Sequence, residues 1–206
     1  MRQDMLGLGG PLGPLELIKR LPEEPFAVSD RRRWAGLEAV RYRDQPPNEN
    51  VVPPLTHHML LLFLRAPKEL EVRSEGVHRV VPPPPGSVLV VPAGCTGRVS
   101  WSGCIDWLNI FLEPGLVARV AGEAFGPDPA RLTVPPLDAL DLPHLRAAML
   151  AVDAELTADG AGGRLASESL ANVLAVHLIR HVLAPRRPAR GRDGVLPRGR
   201  LRAVVE

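Results

Sequence analysis

The sequence predicts an α+β fold in which a barrel of short β-strands is followed by two or three amphipathic α-helices. Two observations lead to this prediction. Between residues 37 and 112, short apolar runs are separated by Pro and Gly clusters at intervals of about one strand plus one turn. After Pro114, apolar residues recur every three or four positions, which is the spacing of one face of a helix.

Seven strands are expected in the first region. They fall at residues 37–43, 57–64, 69–74, 77–82, 87–92, 96–101 and 104–112. We interpret Ser102 and Gly103 as a two-residue hairpin turn between the last two strands. Short strands at such regular spacing are typical of a β-barrel or a β-sandwich.

Three helices are expected in the second region. Pro114 can open the first helix, which continues from Leu116 to Phe125. The second covers residues 142–157 and the third residues 164–184, where Pro185 stops it. Each of the last two carries an apolar stripe at helical spacing, which predicts that both pack against another surface.

Composition restricts the class of protein. The 206 residues are 45% hydrophobic and 23% charged with a net charge of +2, so the chain has no global field that would recruit nucleic acid or anionic membrane. The N-terminus lacks the pattern of a secretory signal, and no stretch approaches the ~20 apolar residues of a membrane helix. We therefore expect a cytoplasmic protein with no membrane partner.

The chain divides into four segments on these patterns. Residues 1–33 are rich in Gly and Pro and are expected to form a flexible N-terminal arm. Residues 34–113 are expected to form the barrel, and residues 114–184 are expected to form a helical segment. Residues 185–206 are a basic linker followed by the start of one more helix.

Gly86, Pro92 and Gly94 carry a family resemblance. A glycine, five residues, then Pro-x-Gly resembles the second motif of the cupin superfamily. The resemblance implies a cupin-like jelly-roll barrel. Metal-binding cupins place a histidine three positions after the last glycine, where this chain has Gly97, and their first motif has two histidines one residue apart.

This chain has adjacent histidines instead, at His57 and His58. Neighbouring residues of a strand point to opposite faces, so both cannot face the interior of the barrel. We therefore expect neither a metal nor another cofactor, and no catalytic residues.

The order of barrel, helices and basic linker resembles the sensor domains of AraC/XylS-type transcriptional regulators. This resemblance implies an effector-sensing, homodimeric domain that touches DNA only through a C-terminal helix-turn-helix domain absent from these 206 residues. The segment 199–206 looks like the opening of that domain. Two alternatives stay open: a metal-dependent cupin enzyme, such as a dioxygenase or isomerase, and a metal-free binding module with no DNA partner.

Candidate ligand-binding residues follow from strand alternation. If Gly97 faces inward, Val99 and Trp101 do so too, and the proposed hairpin would place Leu108 and Ile110 beside them. His58 could lie near the mouth of the barrel. The full predicted set is Tyr42, His58, Val99, Trp101, Leu108 and Ile110. The alternative is that these side chains simply fill the barrel.

The third helix carries the candidate dimer interface. Its stripe consists of Leu170, Leu174, His177, Leu178 and His181. The stripe is expected to pack either against its symmetry mate or against the helix at residues 142–157. His177 and His181 are four residues apart, a spacing that suits two metal ligands, but no third ligand is evident. A core or interface role is therefore favoured.

Overall fold

A computed structural model describes residues 10–29, 34–74, 77–125, 134, 137–158 and 163–183. Within these residues the elements run as follows: α1 (Pro14–Arg20), β1 (Ala27–Val28), β2 (Leu37–Gln45), β3 (Asn48–Val52), β4 (His58–Arg65), β5 (Glu69–Ser74), β6 (Val77–Val81), β7 (Val88–Val91), β8 (Gly97–Ser102), β9 (Ile105–Leu112), α2 (Pro114–Phe125), β10 (Leu137–Leu140), α3 (Pro143–Thr157) and α4 (Gly163–Leu183).

The strands form two antiparallel sheets. One has six strands in the order β1-β2-β9-β4-β7-β10, and the other has four in the order β3-β8-β5-β6. Their facing sides enclose a hydrophobic cluster that contains Tyr42, Met59, Phe63, Trp101 and Trp107. The predicted α+β architecture, a barrel of short strands followed by helices, is confirmed.

Three strands have no counterpart in the sequence prediction: β1, β3 and β10. Each lies at the edge of a sheet. An edge strand pairs on one side only and is less buried, so its sequence lacks a strong apolar pattern. Strand β3 is an example, because its residues Asn48–Val52 are all half-buried or exposed.

A layer of three helices covers the outer face of the six-stranded sheet. Leu60, Leu108 and Ile110 of the sheet belong to one hydrophobic cluster with side chains of α2, α3 and α4. An ion pair joins the same two layers, because the guanidinium of Arg41 in β2 donates to the carboxylate of Asp153 in α3 at 2.5 Å.

The described part of the N-terminal segment differs from the flexible arm that the sequence predicts. Leu12 and Leu17 are buried in the cluster between the sheets. The Leu12 amide donates to the Pro54 carbonyl at 2.8 Å, and the buried Glu23 accepts hydrogen bonds from the side chains of Asn48 and Asn50. Residues 10–29 are therefore attached to the barrel.

The hairpin predicted at Ser102 and Gly103 is also wrong. Strand β8 pairs with β3 and β5 in the smaller sheet, whereas β9 pairs with β2 and β4 in the larger one. The chain thus crosses from one sheet to the other at this turn. Gly103 has a φ of +77°, which favours glycine over residues with a side chain.

None of the helices within the described ranges is long and apolar enough to cross a membrane. The basic linker and the final helix that the sequence predicts at residues 185–206 lie outside the described residues.

Candidate ligand-binding cavity

A cavity of about 100 Å³ lies between the two sheets. Side chains from both sheets form its walls, and Leu17 and Leu21 at the N-terminal helix contribute to one side. The aliphatic lining includes Met59, Leu61, Leu70, Val72, Leu89 and Val91. Such a lining suits a largely apolar ligand, because apolar surface gains free energy when it leaves water.

Three aromatic side chains contribute to the same walls: Phe63, Trp101 and Trp107. The two indole rings meet edge to face, with their centroids 5.5 Å apart. The Trp101 Nε1–H donates to the carbonyl of Pro46 at 2.8 Å, so that indole is held in one orientation. Edge-to-face contacts are a favoured geometry for aromatic pairs, and a ligand ring could extend this arrangement.

Val99 and Trp101 line the cavity together with Gly97, at the positions that strand alternation predicts. Gly97 leaves no room for a larger residue. A β-carbon there would come within 3.0 Å of the backbone carbonyl oxygen of Arg73. The position that holds a metal-ligating histidine in metal-binding cupins is therefore tightly packed here.

Leu108 and Ile110 do not face the cavity, so the prediction that they share the interior of the barrel is wrong. Both are buried in the cluster between the larger sheet and the helices. The prediction assigned the faces of these residues by counting through a hairpin between β8 and β9. The chain instead crosses from one sheet to the other at this turn, so that count does not apply. Trp107 and Asn109, on the other face of β9, line the cavity instead.

Asn109 is the functional candidate that sequence reasoning missed. Its side chain is 4% exposed, and its carbonyl oxygen Oδ1 is buried without a hydrogen-bond partner. A lone polar residue in the otherwise apolar run Trp107–Leu112 was the available signal. All of Trp107–Leu112 is buried, so the pattern did not reveal which face the cavity adjoins.

His58 also lies away from the position expected for it. His58 is the neighbour of Met59, which lines the cavity, so the two side chains point to opposite faces of the strand. His58 therefore shares a face with Leu60, which packs toward the helices. Its Nδ1 accepts a hydrogen bond from the Ala93 amide at 3.1 Å. Burial, and secondarily the neighbouring His57, lowers the pKa of His58 below its usual value.

Tyr42 lies one layer behind the cavity wall. Its ring stacks on the indole of Trp107, with centroids 4.6 Å apart and an angle of 25° between the planes. Its hydroxyl is buried without a hydrogen-bond partner. Burial, and secondarily the charge of Glu23, raises the pKa of Tyr42 well above its usual range, so the phenol is neutral.

The residues present do not fit the metal that the resemblance to cupins implies. No group of three or more His, Cys, Asp or Glu side chains comes together in the described ranges. The ring of His57 lies 4.0 Å from the Glu113 carboxylate, whereas His58 bonds to a backbone amide.

The predicted dimer stripe on α4 turns mostly inward. Leu174 and Leu178 are fully buried in the cluster that α3 and the sheet share, and Leu170 is partly buried against it. The helix therefore packs against α3, the second of the two expected arrangements, and these leucines are not an interface. Helix α4 is apolar on several sides, so its sequence did not show which side faces its own chain.

His177 of α4 contacts the neighbouring helix of its own chain. Its ring stacks on the ring of His144 in α3, with centroids 5.5 Å apart. Burial, followed by His144 and Arg180, lowers the pKa of His177.

Comparison with known proteins shows the class of fold. No protein-family model and no curated protein matches the chain. The solved structure of the AraC-like transcriptional activator CuxR aligns over 76% of this chain and 55% of its own, at 14% identity with a TM-score of 0.53. This chain thus corresponds to about half of that activator's length.

Smaller cupin structures align as well. A cupin superfamily protein from Desulfitobacterium hafniense DCB-2 aligns over 44% of this chain and 76% of its own, at 17% identity and a TM-score of 0.36. A cupin domain from Bordetella pertussis Tohama I aligns over 44% and 93%, at 12% identity and a TM-score of 0.36. The predicted fold, a cupin-like barrel with a layer of helices, is confirmed by the two facing antiparallel sheets and the helices of this chain.

Proposed function

We propose that this chain is the effector-sensing domain of an AraC-family transcriptional regulator. A small molecule would bind in the metal-free barrel and control a separate C-terminal DNA-binding domain. The observation that carries the proposal is the two-sided character of β9, because Trp107 and Asn109 line the cavity while Leu108 and Ile110 contact the helices.

This arrangement gives a route from ligand to helix layer. When a side chain of β9 shifts at the cavity, the backbone of the strand moves with it. The next residue of the strand packs on α2, α3 or α4, so the movement reaches the helix layer. Strand β2 repeats the pattern, since Tyr42 stacks behind Trp107 while Arg41 binds Asp153 of α3. The effector would act by binding one arrangement of the helices better than another.

The likeness to the activator CuxR supports the regulator class over a barrel-only binding module. Its alignment covers 76% of this chain, which is more than the strands of the barrel account for. At 14% identity the likeness to CuxR concerns the fold. The regulatory role of this chain is therefore proposed rather than inferred from that likeness alone.

The composition of the cavity supports binding rather than catalysis. Among the described residues that line it, there is no His, Asp, Glu, Cys, Lys or Tyr. General acid–base catalysis depends on such side chains, and the lining hydroxyls of Ser74 and Thr96 have no base among these residues to activate them as nucleophiles. The protein is therefore proposed to be a non-enzyme.

Dimerisation is proposed to use the outer faces of the helices. Leu165 and Val173 of α4 are 73% and 42% exposed, and Leu150 of α3 is exposed as well. Exposed apolar side chains on neighbouring helices suit a symmetric contact between two copies.

Native mass spectrometry of the purified chain tests the sensing role. We expect a non-covalently bound small molecule, and we expect it to be lost in Val99→Trp, which fills the cavity. As a matched control, Val173→Trp adds the same bulk on the surface of α4 and should retain the molecule.

The gene provides the second test. The proposal predicts that the coding sequence continues past codon 206 into two helix-turn-helix units. A chain that carries no bound molecule, accepts none from a metabolite extract and comes from a gene without such units would overturn the proposed function.

A further inference from the structure

The carbonyl oxygen of Asn109 is the buried acceptor in the described cavity lining that has no hydrogen-bond partner. Three other polar side chains of the lining already have partners within the protein, and Thr96 is exposed to solvent. Asn50 donates to Glu23, Ser74 donates to the Thr96 carbonyl, and Arg98 is paired with Glu49. The Asn109 Oδ1, in contrast, is buried and accepts no hydrogen bond.

A buried acceptor without a partner is unfavourable, because the group has lost its water and gained nothing in exchange. An ordered water is a poor substitute at this position. A buried water needs two to four polar partners, and the lining around Asn109 is mostly apolar, so a water there would have few of them. A ligand donor that reaches Oδ1 after a small rotation of the amide would supply the missing hydrogen bond.

The size of the cavity limits that molecule. At about 100 Å³ the cavity is somewhat smaller than the apolar cavity of about 150 Å³ that is known to hold benzene. One six-membered ring fits after small side-chain adjustments, whereas a sugar phosphate or a fused polycyclic molecule would require a larger rearrangement of the walls.

The walls define the rest of its chemistry. Phe63, Trp101 and Trp107 present aromatic surface, and aliphatic side chains complete the lining. The one charged lining residue of the described set, Arg98, is neutralised by Glu49. An ionised ligand would lose its hydration without gaining a free counter-charge.

We propose that the cavity binds a neutral, single-ring aromatic molecule with one hydrogen-bond donor, a phenol-type ligand, and that Asn109 Oδ1 accepts that hydrogen bond. This inference rests on the proposed sensing function and specifies its ligand class. The hydroxyl would bind at Asn109 of β9, the strand that also contacts the helices.

Titration with phenol and with toluene tests this inference. The two probes have nearly the same shape, but only phenol has a donor. The indole N–H resonances of Trp101 and Trp107 in ¹⁵N NMR spectra of the full chain report binding at the cavity. We expect phenol to bind roughly tenfold more tightly than toluene, which is the value of one hydrogen bond to a buried acceptor.

Three variants complete the experiment. Asn109→Leu should abolish the preference for phenol and improve toluene binding, and Asn109→Val serves the same purpose should the leucine variant not fold. Asn172→Leu is the matched control, because that asparagine lies on α4 outside the cavity and already has hydrogen-bond partners, and it should leave the preference unchanged. Val99→Trp should abolish the binding of both probes.

The outcomes separate the two proposals. If phenol and toluene bind equally, or if Asn109→Leu retains the preference, the ligand class is wrong while the sensing role stands. If neither probe shifts the indole resonances and no molecule co-purifies with the chain, both the ligand class and the sensing role are wrong.

Discussion

The guanidinium of Arg41 donates to the carboxylate of Asp153 across the boundary between the barrel and the helix layer, with 2.5 Å between Nη1 and Oδ2. The two side chains are only 11% and 19% exposed. Arg41 Nε and Asp153 Oδ1 are buried and have no further partner. The contact is therefore a partly satisfied, nearly buried ion pair that fixes α3 against β2.

Breaking this pair on one side should be costly. We expect Asp153→Leu to lower the free energy of unfolding by about 3 kcal/mol, because it leaves the Arg41 charge buried and unpaired. The double variant Arg41→Met with Asp153→Leu should recover most of that loss. Urea denaturation measures both, and Glu168→Leu, which breaks the exposed pair with Arg164, is the control. A double variant as unstable as the single one would contradict this account.

Asn109→Leu should stabilise the protein in the absence of ligand. The change removes a buried acceptor that has no partner and adds apolar contact in the cavity, with an expected gain of about 1 kcal/mol. Thermal and urea unfolding of the ligand-free chain provide the measurement. A loss of stability would indicate that the Asn109 amide is satisfied inside the folded protein.

Gly97→Ala should destabilise the barrel by about 1–3 kcal/mol, because the new methyl group would meet the Arg73 carbonyl oxygen at 3.0 Å and backbone cannot easily move away. Gly122→Ala in α2 is the matched control. Nothing lies within 4 Å of its β-carbon, so helix propensity should make that variant more stable. Equal effects at the two positions in urea unfolding would disagree with the packing around Gly97.

Acid should weaken the fold through His58. Because burial lowers the pKa of His58, the unfolded chain binds a proton more readily than the folded one. The free energy of unfolding should therefore fall as the pH drops below about 6.5, the usual histidine pKa, and level off below the folded value. His58→Gln should flatten this dependence.

Part of the dependence should remain in that variant, because burial lowers the pKa of His177 as well. Urea midpoints between pH 7.5 and 5 provide the measurement. The assignment to His58 is wrong if the slope of wild-type protein and that of His58→Gln coincide.

Substitutions on the two sides of α4 should have different effects. Leu174→Arg places a charge in a fully buried position and should unfold the protein rather than only separate dimers. Val173→Arg changes an exposed neighbour and should leave stability within about 0.5 kcal/mol while lowering the association state. Sedimentation velocity combined with thermal unfolding distinguishes these effects. A dimer that survives Val173→Arg and Leu165→Arg would place the interface elsewhere.

Strands with a strong apolar pattern could be predicted closely from the sequence, because alternation or a continuous run of apolar residues records burial directly. Strands β4, β5 and β9 begin and end within one residue of the predicted positions. The edge strands β1 and β3 left no such record, since their side chains are half-buried or exposed.

The candidate site could be predicted only in part. Val99 and Trp101 followed from alternation counted within a single strand. Leu108 and Ile110 were placed on the wrong side because that count continued through a turn at which the chain changes sheets. Asn109 was missed because β9 is buried on both faces, and a sequence does not distinguish a cavity from a helix layer.

The sequence by itself determined the class of fold, the positions of the strongly patterned elements and the absence of a histidine at position 97, because these depend on local spacing and residue type. The tertiary structure alone decided which face of β9 adjoins the cavity, which side of α4 is buried and how residues 10–29 attach to the barrel. The physical reason is that apolar side chains at a given spacing show that a surface is buried, whereas the identity of the surface that covers it depends on contacts between residues far apart in the chain.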